Sequence, residues 1–154
     1  MSSDLSSVRP PVVLTSAGRA WLQDRLDRGR ERIRHLDADL AAERTEELVT
    51  TRAQLHGQLE ELEVVLRDAV APGDIVDDPS IVELGDEVEV AFEDGEHESF
   101  LVVHPLEAGL DEHRTSSDAP LARAVLGRRV GDEVTVDSPA GAYRCTILRR
   151  DRIG

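Results

Sequence analysis

Five carboxylates fall within one short stretch of this chain: Asp37, Asp39, Glu43, Glu46 and Glu47. Carboxylate oxygens are the usual ligands of hard divalent cations. Asp39 and Glu43, four residues apart, can share one face of a helix. The plainer reading, a solvated acidic turn with no metal role, is favoured here. Just upstream, from Arg19 to Arg34, six arginines stand against Asp24, Asp27 and Glu31, so the charge changes sign along the stretch. Other chemistry is thin. His35, His56, His97, His104 and His113 show no HxxxH or HxH spacing, which argues against zinc. No glycine-rich phosphate loop and no G-x-S-x-G elbow occurs. No catalytic residue and no metal ligand is assigned.

The acidic stretch lies between two runs of seam residues. Leu22, Leu26, Gly29, Ile33, Leu36 and Leu40 recur at steps of four and three, and Leu48, Arg52, Leu55, Leu59, Leu62 and Leu66 do the same. Spacing of this kind marks a coiled-coil seam. The phase slips between Leu40 and Leu48, and an antiparallel hairpin repairs it. Leu40 then faces Leu48, Leu36 faces Arg52, Ile33 faces Leu55, Gly29 faces Leu59, Leu26 faces Leu62 and Leu22 faces Leu66. Each pair of numbers sums to 88, which puts the turn near Arg44. Thr15 or Ser16 is the expected cap of the first helix and Thr45 of the second. Glu46 and Glu47 sit where the helix dipole favours anions. Trp21 reads as a packing anchor and Arg52 as a snorkelling or register-setting residue. No Gly or Pro marks the turn, so one long helix that dimerises through a stuttered seam stays open as the alternative.

A different period follows Pro72-Gly73. Val88, Val90 and Phe92 alternate with acids as a half-solvated strand, and Asp94-Gly95 turns the chain into Phe100–Val103. A loop is expected from Pro105 to Arg114, and one or two helical turns from Leu121 to Leu126 stop at Gly127. Val134 and Val136 open another strand, and Tyr143 to Leu148 returns it. The expected class is α+β: an N-terminal antiparallel helical hairpin, then a small antiparallel β domain with one short helix. The boundaries read as a flexible N-terminus over 1–13, the hairpin over 14–73, a linker over 74–84 and the β domain over 85–154.

Composition narrows the functions. The 154 residues carry 32 acids against 18 basic residues, a net charge of −14, and every basic residue is arginine. Such a charge argues against independent binding to duplex DNA, whose affinity comes from phosphate neutralisation. No apolar run approaches the roughly 20 residues that span a bilayer, and the first residues lack the apolar core of a signal peptide. One cysteine, Cys145, excludes an internal disulfide and fits a reducing cytoplasm. A monomer is expected.

The run Ser117-Asp118-Ala119-Pro120-Leu121-Ala122-Arg123-Ala124-Val125-Leu126-Gly127, followed by Val130-Gly131-Asp132-Glu133-Val134, resembles the C-terminal signature of the GreA/GreB family of bacterial transcription elongation factors. The turn at Ser138-Pro139-Ala140-Gly141, the hairpin and the linker follow in that family's order. The resemblance implies an FKBP-like β domain that docks at the rim of the RNA polymerase secondary channel, with Ser117, Asp118, Ala119 and Pro120 as the contact loop. It implies a hairpin directed towards the active centre, with Arg25, Arg28 and Arg32 as a basic flank near the RNA 3′ end. Neutral surface pairing remains open for those arginines, at a few tenths of a kcal/mol per pair.

Members that stimulate transcript cleavage carry an Asp-x-x-Glu pair at the tip, which helps hold a catalytic Mg²⁺ of the polymerase. Here Asp37 is followed three residues on by Leu40, and Asp39 by Ala42. Set beside those members, each arm is roughly five residues shorter, about 8 Å of helix. Metal ligation is made near ~2 Å. The expectation is a non-enzymatic modulator of elongation, without ordinary cleavage stimulation and with no cofactor of its own; any Mg²⁺ would be shared with the polymerase active site. Two alternatives stay open. One is a cleavage factor that uses the non-standard acids at the tip. The other is a short-hairpin relative of the nucleoside-diphosphate-kinase regulators.

Overall fold

The two leucine runs fold as α1 (Ser16–Ala42) and α2 (Glu46–Asp68). The computed structural model describes residues 12–74 and 78–152. Within it the chain divides into two compact units, one spanning Ala17–Ala69 and the other built around the strands that follow.

In the helical unit, Leu22, Leu26 and Leu36 of α1 are buried, as are Leu59, Leu62 and Leu66 of α2. Gly29 is a helix-interior glycine for a steric reason: a Cβ there would collide with the side chain of Leu59. The mirrored pair Gly29–Leu59 is therefore a close approach of the two helices. Charged pairs tie the arms further, Arg30 to Glu63 at 3.2 Å and Arg52 to Asp37 at 2.6 Å. At the C-terminal end of α2, Arg19 donates from Nη1 to the Leu66 carbonyl (3.0 Å) and from Nη2 to that of Ala69 (2.7 Å). Carbonyls at this end lack helical partners and suit a cation. The turn needs no glycine, because Thr45 is extended (φ −115°, ψ 155°) and no non-glycine residue has positive φ.

The second unit holds a five-stranded sheet in the order β3-β2-β1-β5-β4. Its strands are β1 (Asp86–Phe92), β2 (His97–Val103), β3 (Arg114–Ser116), β4 (Glu133–Ser138) and β5 (Gly141–Arg152), with α3 (Pro120–Val125) packed beside β4. All pairings are antiparallel except that of β2 with β3. Val88, Val90, Phe100, Val102, Val134, Val136 and Ile147 form one core with Ala122 and Val125 of α3. Leu101 and Val103, on the opposite face of β2, are buried as well. That explains why this strand is a continuous apolar run rather than an alternating one. The β1–β5 register shifts between Glu89 and Val90, and Leu148, passed over by the shift, is left exposed.

Several sequence expectations change. The segment 105–114, read as a loop, contains a 3₁₀ turn (Pro105–Glu107) and the first residue of β3. Most of the expected flexible segment 1–13 lies outside the described residues, but Val13 is buried and bridges Val70. The hairpin boundaries 14–73 are too wide, since Leu14, Thr15 and Val70 belong with the sheet. In the linker, residues 75–77 lie outside the described residues, whereas Val82 is a core residue whose N–H and C=O bond to Arg128 and Gly127. Thr15, named as a helix cap, donates its N–H to Glu107 Oε2 (2.9 Å) and its hydroxyl to Oε1 (2.6 Å). Glu107 is fully buried and also accepts from Arg114 Nε at 3.1 Å.

Candidate functional site

The hairpin tip is made by the end of α1, the residues Glu43-Arg44-Thr45 and the start of α2. The Glu43 N–H donates to the Asp39 carbonyl (2.9 Å), which carries the helical path one residue past α1. Thr45 Oγ1 accepts the Leu48 N–H at 3.2 Å, so the expected cap of α2 is in place. Glu46 and Glu47 occupy the first turn, at the positive end of the dipole. Such a capped turn fixes the backbone while leaving its acidic side chains in water.

The five tip carboxylates are not equivalent. Asp37 is bound to Arg52 Nε, a contact that raises the guanidinium pKa through the hydrogen bond first and the charge second. Arg52 therefore links the two helices through one acid of the tip. Asp39, Glu43, Glu46 and Glu47 are exposed, and their side chains make no hydrogen bond or ion pair among the described residues. Nor do three His, Cys, Asp or Glu side chains gather anywhere among the described residues as a cation site would require. The tip does not fit a resident metal. Beside it lies a shallow cleft lined by Asp37, Leu40, Ala41, Arg44, Val49 and Arg52.

The flanking arginines are mostly engaged. Arg25 lies over the Trp21 ring at 4.7 Å, and Arg28 pairs with Asp24 at 2.7 Å. Arg32 is exposed with no ion pair among the described residues. Trp21 thus serves as a partly exposed platform for a guanidinium, an arrangement worth about 0.5–1 kcal/mol at such sites.

In the sheet unit, the loop Ser117–Pro120 joins β3 to α3. The Ser117 N–H donates to Val103 O (2.8 Å), that of Ala119 to Ser116 O (2.9 Å) and that of Asp118 to Ser116 Oγ (3.2 Å). Pro120 takes the first helical position, where its missing N–H costs nothing. The backbone N–H groups of the loop are all committed, yet the Asp118 carboxylate is exposed and makes no hydrogen bond or ion pair among the described residues. Nearby His104 is held below its ordinary pKa by burial, partly opposed by Glu107 and Asp118, and its Nδ1 accepts the Leu106 N–H at 3.1 Å. Cys145 is buried and its thiol is pushed up by that burial, so it offers no nucleophile.

Sequence reasoning missed two buried charge clusters. Besides Thr15–Glu107–Arg114, Asp86 accepts from Arg152 Nε (2.8 Å) and from the Glu83 N–H (2.8 Å), and pairs with Arg150 at 3.0 Å. Adjacent alternating arginines at the end of a strand were the available signal.

Residues 77–149 match the family model described as transcription elongation factor, GreA/GreB, C-term. The chain is 40% identical to the transcription elongation factor GreA of Geobacillus kaustophilus over 98 residues, 63% of this chain and 62% of that protein. With the GreA of Chloroflexus aggregans it shares 31% identity over 159 residues, covering 90% of this chain and 96% of the relative. Among solved structures, the GreA factor homolog 1 of Thermus thermophilus is 29% identical, with 92% and 99% of the chains covered and a TM-score of 0.42. The GreA/GreB factor of Nitrosomonas europaea is 22% identical, with 90% and 98% covered and a TM-score of 0.41. The chain spans just under two thirds of the length of the Geobacillus relative it matches.

Proposed function

The chain belongs to the GreA/GreB family of transcription elongation factors, and from that membership we propose that it binds bacterial RNA polymerase at the secondary channel. In this reading the sheet domain docks at the channel rim through Ser117, Asp118, Ala119 and Pro120. The hairpin reaches towards the active centre and modulates elongation in the cytoplasm without ordinary stimulation of transcript cleavage. The protein has no cofactor and performs no chemistry itself.

The observation that carries this reading is the state of the tip. A cleavage-stimulating tip must deliver a pair of carboxylates to a metal at ~2 Å. The tip holds no Asp-x-x-Glu, Asp37 is held by Arg52, and the other tip acids are exposed.

Docking is tested at Asp118. Because the Asp118 carboxylate makes no hydrogen bond or ion pair among the described residues, Asp118→Asn is expected to weaken binding to RNA polymerase by roughly three- to tenfold, as for loss of one interfacial charge contact. The melting temperature should stay within about 1 °C, since surface changes away from special features cost little. Equal losses of stability and binding would make the loop a folding element.

A further inference from the structure

Alongside the docking loop runs an open groove of about 460 Å³, lined by Pro120, Arg123, Ala124, Arg128, Val134, Thr135 and Asp137. The lining brings two arginines together with the small Ala124, while Val134 beneath is buried in the core. In a chain with 32 acids and 18 arginines, an exposed arginine would be expected to find a carboxylate of its own. Arg28, Arg30, Arg34, Arg144 and Arg149 do so, whereas others, Arg32 among them, do not. Arg123 and Arg128 do not: both are exposed and their side chains make no hydrogen bond or ion pair among the described residues. Asp137, which shares the groove, pairs with neither.

Both arginines are rigidly mounted. The Arg123 N–H donates to the Ala119 carbonyl within α3 (2.9 Å). Gly127, at φ +78°, turns the chain out of that helix through a conformation that glycine adopts freely. Arg128 is then fixed on both sides, its N–H donating to Val125 O (3.0 Å) and its carbonyl accepting the Val82 N–H (2.8 Å). Two fixed backbones presenting two guanidiniums to one open groove suit paired carboxylates, which arginine holds in bidentate geometry.

We propose that this groove receives an acidic segment of the polymerase, with two carboxylates bound by Arg123 and Arg128. The assignment rests on the docking reading above and extends it from the Ser117–Pro120 loop to the adjoining surface through Pro120, which belongs to both. A phosphate backbone would also suit two arginines, but the net charge of −14 opposes approach to nucleic acid.

The test measures binding of the full chain to purified RNA polymerase core enzyme as a function of salt. The double variant R123E/R128E is expected to bind roughly tenfold or more weakly, and its affinity should fall less steeply with salt. R123Q/R128Q should fall between it and the wild type, and Asp137→Asn, which removes the groove's only acid, should tighten binding about two- to threefold. If the wild type binds while the charge-reversed and neutral double variants, folded by melting temperature, bind within twofold of it, the groove assignment is overturned and the docking loop stands. If the wild type does not bind, both readings fall. Binding of the chain alone to an RNA or DNA oligonucleotide, lost in R123E/R128E, would overturn the acidic partner in favour of nucleic acid.

Discussion

Asp86→Ala is expected to destabilise the sheet domain by about 3–5 kcal/mol, the range for removing one partner of a buried ion pair. The Asp86 side chain is wholly buried, and its two oxygens accept from Arg152, Arg150 and the Glu83 N–H. The guanidiniums it serves are themselves withdrawn from water, with 9% of the Arg150 side chain and 18% of that of Arg152 exposed. Arg152 also bonds Glu83 Oε2 (2.7 Å) and the Pro72 carbonyl (2.6 Å), so the cluster fastens the segment after α2 to the last strand. Truncation leaves two cations without their central anion, and Coulomb repulsion between them replaces attraction. Urea denaturation followed by a sheet-specific signal would read the loss. Arg149→Ala, at an exposed position, should stay within about 0.5 kcal/mol of wild type. A cost below 1 kcal/mol at Asp86 would mean that the arginines find other acceptors.

A second large effect is expected in competition. When a cleavage-stimulating GreA is present below its own Kd, adding this chain at about ten times its Kd should reduce GreA-driven cleavage roughly tenfold, because occupancy of one shared site follows simple mass action. Competition requires only that the sheet domain dock. Cleavage requires carboxylates at metal-ligand distance, a demand tighter by several ångströms. Undiminished cleavage at saturating chain, with binding confirmed, would place this protein at a different surface of the polymerase.

Both helices were legible in the residues because coiled-coil packing is written as a period, and a mirrored period locates its own turn. Gly29 belonged to that pattern before its steric reason was visible: it is the one seam position where the facing Leu59 leaves no room for a Cβ. The missing turn glycine misled only in suggesting an alternative, since an extended Thr45 closes the turn without positive φ. The sheet was legible where strands alternate and illegible where they do not. β3 has three residues, Arg114, Thr115 and Ser116, too few to show a period. Val82 lies in the short run Ile81-Val82-Glu83-Leu84, too brief to show a period, and only the fold brings it against Arg128.

The candidate sites divide in the same way. The identity of the tip acids could be read directly, whereas the loss of Asp37 to Arg52 depends on which side chains the seam brings together. Glu107 and Asp86 look like surface acids in the chain, because their arginine partners, Arg114 and Arg152, become neighbours only through strand pairing and the 3₁₀ turn. Arg123 and Arg128 carried a signal of a different kind, two basic residues in a strongly acidic protein. Their shared groove and their lack of partners among the described residues are visible only in three dimensions.

The most direct test is to add the purified protein to arrested elongation complexes carrying labelled RNA and to follow both 3′ cleavage and nucleotide addition. The expected result is cleavage within about twofold of the polymerase's intrinsic rate, together with slower nucleotide addition, as occupancy of the channel without a metal-delivering tip requires. Robust 3′ cleavage that disappears when Glu43, Glu46 and Glu47 are changed together to Ala would contradict the account and assign those carboxylates the role withheld from them here.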